Sequence, residues 1–259
     1  MNSTCPSLVV EQQGEIALAK LNRPEKRNAL NDATIAALDE FFGGLSSSTK
    51  VIILHGEGDH FCAGLDLAEL LAKGPRSSLV AARHSRGWHE VFERIQFAHI
   101  PVISVLKGGV IGGGLELAAT THIRVCEPST FFQLPEGQRG IFTGGGASVR
   151  ISRVIGPGRM VEMMLTGRRY DAAEGIRLGL GHYLAEPGSG MAVALELART
   201  VARNAVASNY AIINGIARIA EMSPAEGLFA ETMVACMTAA SESSERIRDF
   251  LRHPSKVAE

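Results

Sequence analysis

GGGLELAATTHIRVCEPSTFFQLPE, residues Gly112 to Glu136, sets two carboxylates in apolar company. Three glycines lead into a helix-forming stretch with Glu116 in its first turn. The β-rich segments HIRVC and TFFQL follow, and Leu134-Pro135 then delivers Glu136. Glycine lets a backbone N–H come close to a ligand. Amides at a helix N-terminus have no intrahelical partner and carry partial positive charge. FCAGLDL (61–67) repeats the arrangement, with Ala63-Gly64 opening a helix after the apolar run VIILH. One free N–H from each junction would make a two-donor oxyanion hole; read more plainly, the glycines only permit tight turns. Glu116 is likewise either an acid that complements the helix dipole or, with Glu136, half of a carboxylate pair suited to proton transfer beside a polarised carbonyl.

Working outward, SLVVEQQGEIALAKLN reads as a hairpin. NDATIAALDEFFGGL reads as a helix with Asn31 or Asp32 as its cap and Ile35, Leu38, Phe42 and Leu45 on its apolar stripe. VIILHG (51–56) and PVISVLKG (101–108) read as buried strands, and 65–98 as helix around a breaker at Gly74-Pro75. A helix is expected over about 113–121, another after Gly144–Gly146, and a strand in GHYLAE. From about 158 onward nearly everything else reads helical. Early alternation of strands and helices with a helical end predicts an α/β fold. No sequence repeat is evident.

The bulk numbers exclude more than they assign. The 259 residues are 46% hydrophobic and 20% charged, with a net charge of −1, an ordinary globular composition. No global basic field invites nucleic acid or an anionic membrane. No stretch has the length of a membrane span, and the start lacks the basic and long apolar regions of a signal peptide. Cys5, Cys62, Cys126 and Cys236 are scattered and form no CxxC pair, so reduced thiols in a cytoplasmic protein are expected. The glycine strings match neither GxxxxGK[ST] nor GxGxxG, and GGGASVR does not match GxSxG.

Five segments, taken together, resemble the crotonase superfamily, the enoyl-CoA hydratase/isomerase family. They are LNRPEKRNAL (21–30), HFCAGLDLAEL (60–70), PVISVLKGGVIGGGLELAATTHIRV (101–125), FFQLPEGQRGI (131–141) and RMVEMMLTGRRYDAAEGIRLGL (159–180). The resemblance implies a spiral of stacked ββα turns over residues 1–190, followed by a helical trimerisation region over 191–259, with trimers or hexamers as the assembly. It implies an enoyl-CoA hydratase that needs no metal or other cofactor, coenzyme A arriving as part of an acyl-CoA substrate; the alternatives are a hydratase-lyase, an isomerase, a thioester hydrolase or a non-catalytic acyl-CoA-binding relative. Glu116 and Glu136 match the catalytic glutamates, and the N–H groups of Leu65 and Gly113 match the oxyanion hole. Lys26, Arg27, Ala29, Ala63, Asp66, Leu67, Phe250 and Lys256 fall in the coenzyme A contact regions, Asp66 largely through its backbone. The chain departs from the family at His122, expected to be structural, in IFTGGGASVRI, and in RHSRGWHEVFE (83–93), where His84, Trp88 and His89 are candidates for the acyl pocket.

Overall fold

The computed structural model describes residues 4–5, 7–239 and 243–252. Strands β1 (Thr4–Cys5), β2 (Leu8–Gln13) and β3 (Ile16–Leu21) form an antiparallel edge. Beside β3, strands β4 (Val51–Gly56), β5 (Val102–Leu106), β7 (Ile123–Cys126) and β10 (Tyr183–Leu184) run parallel and complete a seven-stranded sheet. A second sheet holds β6 (Gly109–Ile111), β8 (Phe131–Gln133) and β9 (Tyr170–Asp171).

These pairings make the spiral. β5 turns into β6 and then helix α4 (Gly113–Ala118); β7 turns into β8 and then a 3-10 turn at Gly137–Arg139. Successive turns stack, so Val110 in β6 pairs with Phe132 in β8 on one side and with Cys62 from the turn before on the other. All three are fully buried, and truncating Phe132 to alanine would cost about 3–5 kcal/mol. The repeat lies in the backbone ladder, while its side chains are Cys, Val and Phe. That is why no repeat shows in the sequence.

β4 shows why a parallel strand reads as an unbroken apolar run. Ile52 and Leu54 face the main core with Leu106, Val110 and Phe132, whereas Val51 and Ile53 face a second core under helix α8 (Gly190–Ala202). Ala194, Ala198 and Ala202 line the face of α8 that meets the sheet, and their small side chains let the helix sit close. The boundary drawn at 190/191 thus falls at the start of a helix that packs with the spiral.

Helix α1 (Asp32–Gly43) is capped by Asn31, whose side chain accepts from the Thr34 amide. Helices α2 (Leu67–Ala72) and α3 (Ser78–Gln96) flank the Gly74-Pro75 breaker. Helices α5 (Ala147–Ile155), α6 (Pro157–Thr166) and α7 (Ala172–Arg177) lead to β10; after α8 come α9 (Val206–Ile219), α10 (Pro224–Ala239) and α11 (Ser243–Arg252). Asn214 on α9 donates to the Ala98 carbonyl and ties the helical end to the spiral. Ile212, Ile216, Leu228, Phe229 and Met233 stand exposed on α9 and α10. Among the described residues, no helix is long and apolar enough to cross a membrane.

Candidate active site

The spiral brings its two strand-to-helix junctions side by side. The Gly112 amide donates to the Gln133 carbonyl at 2.9 Å, which fixes the start of α4 over the end of β8. Glu136, three residues on, therefore lies against Gly112. Gly112 has φ +52°, and a β-carbon there would come within 2.7 Å of Glu136 Oε1. The backbone angle favours glycine here, and any side chain would have to displace the Glu136 carboxylate. The first junction arrives through a bridge between Leu30 and Leu65. A β-carbon on Gly64 would lie 3.0 Å from the Gly113 nitrogen, and one on Gly113 would lie 3.4 Å from the Leu65 nitrogen. Neither the Leu65 nor the Gly113 amide donates a hydrogen bond to a described residue. Both residues line a cavity of about 360 Å³.

Both glutamates line that cavity and both are buried. Their partners differ. Glu116 Oε1 accepts from the Gly145 amide at 2.9 Å and the Ala147 amide at 3.0 Å. Glu136 Oε2 is buried with no partner among the described residues. Burial pushes both carboxyls above the ordinary value, and the two amides on Glu116 oppose that push. At Glu136 burial dominates, the Glu116 charge adds to it, and the pKa rises to about 7. When the pair holds one proton, the proton belongs on Glu136, because Glu116 has two donors that hold its charge.

The Gly144–Gly146 loop that grips Glu116 is itself held. Arg150 on α5 donates from Nη1 to the Gly145 carbonyl at 3.0 Å and from Nε to Gln96 Oε1 at 2.6 Å. Ser85 on α3 donates to the Gly144 carbonyl at 2.6 Å. A β-carbon on Gly145 would meet Glu116 Oε2 at 2.7 Å and Phe92 at 2.8 Å, so only glycine lets this loop reach the carboxylate.

Residues 11–252 match the sequence profile described as enoyl-CoA hydratase/isomerase. The chain belongs to that family. It is 31% identical over 202 residues to a short-chain-enoyl-CoA hydratase of Clostridium acetobutylicum, covering 77% of this chain and 76% of that one. It is 32% identical over 244 residues to a mevalonyl-coenzyme A hydratase of Aspergillus fumigatus, covering 91% and 88%. A solved structure from Rhodopseudomonas palustris, provisionally assigned as an enoyl-CoA hydratase, superposes with a TM-score of 0.93 at 47% identity over 99% and 98% of the two chains. An enoyl-CoA hydratase structure from Bacillus anthracis gives 0.88 at 26% identity over 96% of each.

In this member of the family, Lys26, Arg27, Ala29, Ala63, Asp66 and Leu67 line the same cavity as the glutamates. The left-handed residues Arg27 and Asn28 bend their loop, and Asn28 locks it by donating to the Glu57 and His60 carbonyls. The Asp66 carboxylate is taken up by Arg23 at 2.8 Å and by the Glu69 amide, and its backbone, expected to meet coenzyme A, is engaged as well: the amide donates to the Leu30 carbonyl at 2.8 Å and the carbonyl accepts from the Leu70 amide at 3.0 Å. The Phe250 side chain and the whole of Lys256 lie outside the described residues. Of the acyl-pocket candidates, His84 and Trp88 line the cavity and His89 does not. His122 accepts from the Val102 amide through Nδ1, while Nε2 meets the Gln96 carbonyl; it is a structural histidine. Sequence reasoning missed Arg150, Ser85 and the Gly145 and Ala147 amides. They act through backbone contacts that no side-chain motif encodes.

Proposed function

We propose that this chain adds water across the 2,3 double bond of a 2-enoyl-CoA thioester. The observation that carries the reading is the unequal pair of glutamates: one held by two amides, one with an oxygen buried and unpartnered, both facing a cavity that also offers two unused N–H groups. Conjugation with the thioester makes Cβ electrophilic, and as oxygen adds there negative charge moves to the thioester oxygen. The Leu65 and Gly113 amides would receive that charge. Glu116, ionised, takes a proton from water as the C–O bond forms at Cβ. Glu136, protonated, delivers its proton to Cα. The two carboxyls end with their protonation exchanged, and a proton passes between them or through solvent to reset the site. Burial and the neighbouring charge keep one carboxyl protonated near neutral pH, as the acid role requires.

The exposed Lys26 and Arg27 at the cavity mouth suit the phosphates of coenzyme A, with Ala29, Ala63, Asp66 and Leu67 along its path. The chemistry calls for no metal or redox cofactor. The apolar side chains exposed on α9 and α10 suit a homotrimeric or hexameric assembly, and the unpaired Cys62, Cys126 and Cys236 suit the reducing cytoplasm. The relatives named above act on different acyl groups by name, so the acyl chain is a separate question.

Reaction in ¹⁸O water tests the chemistry. Hydration requires one label on an intact 3-hydroxyacyl-CoA, with no free thiol released. A shifted double bond without label indicates an isomerase, label in a freed carboxylate a hydrolase, and an aldehyde with acetyl-CoA a hydratase-lyase. Any of these in place of the labelled hydroxyacyl thioester overturns the proposal.

A further inference from the structure

Among the described residues, the buried side-chain nitrogen and oxygen atoms without a hydrogen-bond partner are Glu136 Oε2 and Thr143 Oγ1. Both residues line the same cavity. The proposed reaction uses the first, as the acid that protonates Cα. It has no use for the second. A buried hydroxyl without a partner is rare and calls for a cause.

Thr143 is not free to turn toward solvent by moving its backbone. On one side, the Gly144 carbonyl accepts from Ser85 and the Gly145 amide is held by Glu116. On the other, the Ile141 amide donates to the Glu136 carbonyl at 3.1 Å. The cavity it lines mixes apolar Trp88, Ile141 and Phe142 with Ser85 and His84 of α3. Ser85 has spent its proton on Gly144, and His84 Nε2 lies 3.2 Å from Asp32 Oδ1. Thr143 therefore presents the one hydroxyl here with both its proton and its lone pairs unused. A plain alkyl chain lying against it would leave that group unpaired, whereas an oxygen-bearing chain would satisfy it.

We propose that Thr143 is a specificity residue, and that the preferred substrate is an enoyl thioester carrying a hydroxyl on its acyl chain beyond C3. The inference rests on the acyl-CoA reading of the cavity. A site built to hydrogen-bond a substrate hydroxyl discriminates against the analogue that lacks it.

The test compares wild type, Thr143→Val and Thr143→Ser on two matched series: 2-enoyl-CoA thioesters of four to six acyl carbons ending in methyl or in hydroxymethyl. Turnover gives kcat/KM. Titration calorimetry with the saturated thioesters gives Kd without chemistry. Wild type should favour the hydroxylated member, and Thr143→Val should lower that preference about 3- to 10-fold in both readouts, the scale of one neutral hydrogen bond. Thr143→Ser should keep it, which a purely structural role for the methyl group would not predict. An unchanged preference in Thr143→Val overturns the proposal, since water alone would then satisfy the hydroxyl. Equal losses in kcat on both series, with Kd unmoved, also overturn it, because Thr143 would then serve the attacking water. If wild type hydrates nothing yet the Kd preference still depends on Thr143, the hydratase reading fails and the subsite stands.

Discussion

Glu116 and Glu136 reach one cavity from successive turns of the spiral, and the same side chain meets opposite treatment at the two places. Glu116 sits in the first turn of α4 and receives two amides from the Gly144–Ala147 loop. Glu136 stands at the end of β8, with one oxygen buried and unpartnered. Burial alone would raise both. The difference lies in the donors, and the donors are backbone groups placed by folding. Two glutamates can thus take the roles of base and acid because the spiral brings two loop amides to one of them and leaves an oxygen of the other buried and unpartnered.

Removing either member attacks the comparison most heavily. Glu116→Gln and Glu136→Gln should each lower kcat about 10²–10⁴-fold, the span for a positioned acid or base. The double variant should lose far less than the product of the singles, since the two act in one step. Full activity in either single variant removes that residue from the chemistry.

The oxyanion assignment carries the next effect. Gly113→Pro deletes an N–H at a helix position where proline is tolerated, but its β-carbon crowds Trp88 at 2.9 Å. Gly113→Ala brings the same crowding and keeps the N–H. Proline should therefore lose about 10²–10³-fold in kcat relative to alanine. Equal kinetics in the two folded variants contradict the assignment.

The loop itself can be loosened. Arg150→Gln frees the Gly145 carbonyl and removes a positive charge that favours ionised Glu116. We expect a loss of about 10- to 100-fold in kcat, the cost of slight misplacement, with the acid limb of the pH profile moved upward. A fall in kcat without that movement would make Arg150 a structural brace only.

The smallest effect is on stability. The folded state holds the Glu136 proton up to about pH 7, well above the ordinary carboxyl value of 4.5. Burying the carboxyl is therefore free of penalty in acid, and the penalty grows as pH rises from about 4.5 to about 7. Glu136→Gln lacks it. Its melting temperature should exceed that of wild type at pH 8, by about 2–4 °C for each kcal/mol of penalty removed, with the gap closing toward pH 5. A gap independent of pH would mean that Glu136 is not buried in its charged form.

The sequence made much of this visible. Val51–Gly56 is a strand over the expected residues, and the Ile35, Leu38 and Phe42 stripe is buried on α1. Short strands escaped: β6 opens at Gly109, and β9 is only Tyr170–Asp171. Their strand character comes from pairing with β8, a long-range contact with no local signal. The helices of the C-terminal part were expected, but α8 owes its place to alanines that fit the sheet, a fit that periodicity does not reveal. At the site, the glutamates and glycines could be read because chemistry constrains their side chains. Arg150 and Ser85 could not, because they serve carbonyls of a loop whose path only the fold determines.

The central claim is that the resting proton sits on Glu136. Infrared difference spectroscopy across pH reads it directly, through the carbonyl stretch of a protonated carboxyl. Wild type should lose such a band with a midpoint near pH 7, and Glu136→Gln should lack it. In Glu116→Gln the band should persist with a lower midpoint, since the charge that helps to raise Glu136 is gone. A band near pH 7 that survives in Glu136→Gln and vanishes in Glu116→Gln would place the proton on the other glutamate and contradict the account.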